Sequence, residues 1–93
     1  MKTKKELMRL FLQLVDAEPD YQNNHAIISD KDFLSSLVES KRIDQYYLVY
    51  AVEDLIKAAD IKPSVVKEVW NELNKEANLT IKQIVKLVYN HQG

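Results

Sequence analysis

Residues 43–60 read IDQYYLVYAVEDLIKAAD, and this stretch decides the fold. At 100° per residue Leu48, Ala51, Val52, Leu55 and Ala59 fall on one stripe, with Val49 and Ile56 to one side and Tyr47 and Ala58 to the other. The apolar arc spans about 200°, roughly twice what a surface helix needs. A helix of that kind belongs at the centre of a bundle. Tyr46 and Tyr50 fall outside the arc, one turn apart, in a row with Glu53 and Lys57.

Helix signals continue on both sides. Thr3-Lys4-Lys5-Glu6 and Thr80-Ile81-Lys82-Gln83 match the capping box, in which a hydroxyl and an acid or amide reciprocally satisfy orphan amides. Ser29-Asp30-Lys31-Asp32 is a weaker version, Asp44 is a lone cap, and Pro63 suits a first helical turn. Hydrophobic staples pair Ile28 with Phe33, Ile43 with Leu48 and Leu79 with Ile84. The spacing predicts helices over 4–17, 30–41, 45–59, 63–77 and 81–91. Their stripes include Leu7, Leu10, Phe11, Leu14 and Val15 in the first, and Phe33, Leu34, Leu37 and Val38 in the second. Val65, Val66, Val69, Trp70 and Leu73 serve the fourth, and Ile81, Ile84, Val85 and Val88 the fifth. The one glycine is Gly93, so hairpin turns lack their usual residue. The expected fold is all-α: one domain over 1–93, an antiparallel helical bundle of four to five helices, joined by short links except the polar 18–28 segment.

Composition bounds the function. Formal net charge is −1, so no overall field draws in nucleic acid or acidic lipid. Without cysteine there is no disulfide, thiolate or zinc–thiolate chemistry. The longest apolar run is Tyr46 to Val52, far below the ~20 residues of a membrane span. The opening MKTKKELMRLFLQLV begins basic like a secretion signal, but Glu6, Arg9 and Gln13 interrupt it, so it reads as an amphipathic helix of a cytoplasmic protein. Lysine outnumbers arginine 11 to 2, a usage that fits an AT-rich bacterial or phage genome.

Catalysis has few candidates. His25 and His91 sit in no ligand pair at helical spacing, no glycine-rich loop cradles phosphate, and Glu53 and Asp54 point about 100° apart. No catalytic residue, cofactor or metal is assigned. The expectation is a non-enzymatic protein that binds another protein through Tyr46, Tyr50, Glu53 and Lys57, with Glu68 and Glu72 as an acidic ridge for a basic partner. Two plainer readings stand beside it. A neighbouring helix or the 18–28 loop covers the tyrosines, and Lys82 and Lys86 neutralise Glu68, Glu72 and Glu76 or water solvates them.

Four bases against one acid in residues 1–9 offer a weak basic surface, diluted by Asp16. Two rival functions remain. One is a helix-turn-helix DNA-binding regulator over 63–91 presenting Lys82, Gln83, Lys86 and Asn90, which the acidic first helix and the net charge oppose. The other is a homo-oligomer associating through the third helix. An adaptor, an inhibitor or an immunity-type protein would each fit the protein-binding reading, and in length and helix content the chain is similar to the compact helical bacteriocin-immunity proteins of low-GC bacteria; those proteins tend to be basic, and this chain is not.

Overall fold

The computed structural model describes residues 2–16, 29–40, 43–75 and 78–92. Among these residues the chain is all-α, with five helices: α1 (Lys4–Asp16), α2 (Leu34–Glu39), α3 (Gln45–Ala58), α4 (Pro63–Lys75) and α5 (Ile81–Asn90). No described strand forms; Phe33 and Thr80 make an isolated antiparallel bridge.

The core is apolar throughout, and no described polar or charged residue is buried. Leu7, Phe11 and Val15, spaced four apart on α1, are sealed, and α1 packs against both α3 and α5. From α3 come Ala51, Val52, Leu55 and Ile56; from α5, Ile81, Ile84, Val85 and Val88. Val69 and Leu73 of α4 complete the core with Leu37, Ile43, Ala59 and Ile61. Leu10 and Leu14, expected on the α1 stripe, lie at its half-buried edge.

Local chemistry sets most helix starts. The Thr3 amide donates to Glu6 Oε1 at 3.0 Å and the Glu6 amide to Thr3 Oγ1 at 3.1 Å, closing the first capping box. The backbone hydrogen bond from Thr3, then that of its hydroxyl, hold the Glu6 carboxyl below its ordinary value, so this cap weakens as pH falls through the lowered pKa. Asp44 Oδ2 accepts from the amides of Tyr46 and Tyr47 at 3.0 and 3.2 Å, and Pro63 opens α4.

The second helix departs from the prediction. It begins at Leu34 rather than residue 30, with Phe33 as an N-cap that has no side-chain bond. Ser29 and Asp32 do engage amides, but within a turn: Ser29 N–H donates to Asp32 Oδ2 at 2.8 Å and Lys31 N–H to Ser29 Oγ at 3.2 Å. The backbone after that turn serves α5. Lys82 N–H donates to the Asp30 carbonyl at 2.9 Å, Ile81 N–H to that of Asp32 at 3.1 Å, and Leu34 N–H to that of Leu79 at 3.0 Å. A helix from residue 30 would have spent those carbonyls on its own amides. Phe33, expected on the core stripe, is 42% exposed instead, and its staple partner Ile28 lies outside the described residues.

These bonds complete an unusual cap. The remaining free amides at the start of α5 belong to Thr80 and Gln83. Thr80 N–H reaches Gln83 Oε1 at 2.8 Å, and Gln83 N–H reaches Thr80 Oγ1 at 3.2 Å. All four otherwise orphaned donors are thereby satisfied. Thr80→Ala is expected to cost about 1 kcal/mol, a fall in Tm of roughly 4–8 °C read by circular dichroism. An unchanged melt would show that the backbone bonds from 30–34 suffice.

Helix α3 ends without glycine. Ala59 N–H bonds back to the Leu55 carbonyl at 3.0 Å, and Asp60 takes φ 55°, the left-handed region that favours glycine. Asp60→Gly is expected to hold or raise the Tm, whereas Asp60→Val should lower stability by about 1–2 kcal/mol. Equal melts for the two would remove backbone strain as the cause.

Candidate protein-docking face

The Asp44 cap fixes the first turn of α3, and with it the directions of the tyrosines. Tyr47 turns inward: its hydroxyl donates to the Leu14 carbonyl of α1 at 3.0 Å. Its ring lies 6.1 Å from that of Tyr50 at a tilt of 36°, so Tyr50 rests on Tyr47 along one edge. Tyr50 is nevertheless 56% exposed and Tyr46 85% exposed. Glu53 and Lys57 continue the same exposed row, and Val49, at 45%, lies beside it. Among described residues, no covering neighbour removes these rings from solvent.

Beside this row the surface opens into a groove. Helix α3 packs on α1 and α4 packs on α5, and the groove lies where α3 faces α4. Two apolar clefts lie between them and meet at the half-buried Trp70. One, of about 190 Å³, is bounded by Leu34, Ser35, Leu48, Val49, Val52, Leu73, Leu79 and Ile84. The other, of about 240 Å³, is bounded by Ile56 and Val66 and rimmed by Glu53 and Lys57. Val49 joins the first cleft to the tyrosine row, and Glu53 with Lys57 join the second, giving one continuous face.

The six residues expected to bind a partner therefore separate. Tyr46, Tyr50, Glu53 and Lys57 share this face. Glu68 and Glu72 each lie two positions from Trp70, about 160° around α4. Glu68 is exposed, while Glu72 Oε1 lies 3.6 Å from His91 Nε2 of α5. His91 Nδ1 is 2.9 Å from the Leu87 carbonyl, which fixes the ring. His91, rather than Lys82 or Lys86, thus faces Glu72, and Glu76 lies outside the described residues.

Sequence reasoning missed Val49, Val66 and Trp70 as surface elements, because each satisfies an apolar stripe and was assigned to the core. The available signal was that Val66 and Trp70 lie one turn apart at one edge of the α4 stripe.

At the other end of the molecule the basic first turn is engaged. Lys4 Nζ lies 5.6 Å from the centroid of the Tyr89 ring, a cation–π contact. The Lys2 amide and carbonyl exchange hydrogen bonds with the Gln92 side chain at 3.1 and 2.6 Å. No described helix is long and apolar enough to cross a membrane, and no described group of three or more His, Asp or Glu could hold a metal ion; His25 lies outside the described residues. Comparison with protein-family models, curated proteins and solved structures finds no match for this chain.

Proposed function

We propose that the chain is a non-enzymatic protein-binding module, built as an antiparallel helical bundle, that docks another polypeptide on the α3–α4 face. The observation that carries this reading is Tyr46, a large aromatic side chain 85% exposed in the same row as Glu53 and Lys57, which rim an open apolar groove. Tyrosine offers rigid area and a polar tip with little rotamer entropy to lose, which is why it recurs at binding hot spots. Apolar grooves between helices are a common seat for an amphipathic partner segment. An adaptor or an inhibitor would use such a face directly, as would an immunity-type protein.

A DNA-binding reading of 63–91 has weaker support. The amides at the α5 N-terminus are already bonded to the Asp30 and Asp32 carbonyls, and the Gln83 side chain is spent on the Thr80 amide. Lys82, Lys86 and Asn90 remain exposed, but the residues beside the helix start are acidic. The test is affinity purification with the wild type, with Tyr46→Ala plus Tyr50→Ala, and with Glu68→Lys on the far side of α4. A partner retained by the tyrosine variant and lost by the Glu68 variant would move the site to the acidic ridge.

A further inference from the structure

We infer that a second copy of this chain is one polypeptide that seats on this face, through antiparallel pairing of α3 with α3. This rests on reading the face as a protein-docking surface and names an occupant for it. The argument begins with spacing. Tyr46, Tyr50, Glu53 and Lys57 are exposed and separated by four, three and four residues. That order of steps reads the same in both directions, so a two-fold axis between Tyr50 and Glu53 lays the row onto itself.

The chemistry then matches at every position. Tyr46 falls opposite Lys57 of the partner subunit, an ammonium against an aromatic face. Tyr50 falls opposite Glu53 of the partner subunit, a hydroxyl donor against a carboxylate. The symmetry repeats both contacts. A parallel pairing would instead set carboxylate against carboxylate and ammonium against ammonium, so charge selects the antiparallel arrangement. Shape agrees. Each copy carries a projecting ring in Tyr46 and, three turns along the same helix, the 240 Å³ cleft rimmed by Glu53 and Lys57. The two-fold brings each ring to the mouth of the other copy's cleft, beside Trp70.

The area predicts how tightly the copies hold. Fully buried rings contribute about 150–250 Å² each, so the exposed parts of Tyr46 and Tyr50 offer roughly 200–350 Å² per copy. With Val49 and the stems of Glu53 and Lys57, the total over both copies is on the order of 1,000 Å², the low end for a specific interface. A net charge of −1 gives little repulsion between copies. The result is a reversible, concentration-dependent dimer whose dissociation frees the face for another partner.

Trp70 is the only tryptophan and lines the receiving cleft, so it reports occupancy directly. The test is sedimentation velocity and Trp70 emission from about 1 µM to 1 mM, the range expected for an interface of this size. The expected result is a shift from monomer to dimer with a parallel blue shift. Tyr46→Ala should weaken the dimer at least ~10-fold, since symmetry removes two rings at once. Lys57→Glu should do the same, and Lys75→Glu, exposed and about 140° around α4 from Trp70, should not. A chain monomeric throughout overturns the inference without touching the purification result for a different partner. A dimer untouched by both Tyr46→Ala and Lys57→Glu overturns the pairing.

Discussion

Phe11→Ala is expected to cost about 3–5 kcal/mol, the usual range for truncating a sealed aromatic side chain. A chain of this size holds about 5–14 kcal/mol of folding free energy in all, so this one change removes a large share. The expectation follows from position as much as size. Phe11 has no exposed surface, and its helix packs against both α3 and α5. A cavity there loosens two contacts at once. Leu7 and Val15, one turn either side, are equally sealed on the same helix and limit collapse into the void. Urea titration should show a lower midpoint at unchanged slope. A loss under about 1 kcal/mol would mean that α1 is not the element around which the others are organised.

Tyr46→Ala with Tyr50→Ala should have the opposite signature. Tyr46 makes almost no use of its ring in the monomer, and Tyr50 forfeits a tilted contact with Tyr47 worth about 0.5–1.5 kcal/mol. The Tm should fall by roughly 2–12 °C. Partner affinity should fall by at least ~30-fold, the equivalent of 2 kcal/mol that defines a hot spot. The informative quantity is the contrast between the two measurements. A fall in Tm beyond about 15 °C would return these rings to the core, and intact binding in a folded double variant would leave the face without a role.

The helix starts at Thr3, Asp44, Pro63 and Thr80 are legible in the sequence because a cap is closed by residues within three positions of one another. The broad arc of 43–60 is legible for a similar reason, since periodicity is a local property. What escapes is set by residues distant along the chain. Ser29 and Asp32 carry a helix-start pattern, yet their segment yields its carbonyls to amides about fifty residues later. His91 faces Glu72 because α4 and α5 pack together, which no spacing rule reports. Trp70 reads as core from its stripe, yet it borders open clefts that it shares with residues of α3. A cleft shared between two helices has no signature in either one.

The bridge at Phe33 and Thr80 has a consequence for how the molecule can come apart. Six residues are too few to hold a helix alone, so α2 exists only while α5 lends it an edge. In return two of the four amides that open α5 bond to the Asp30 and Asp32 carbonyls. Fraying at either site exposes the other, so hydrogen exchange should open residues 30–39 and the start of α5 together, as one cooperative unit.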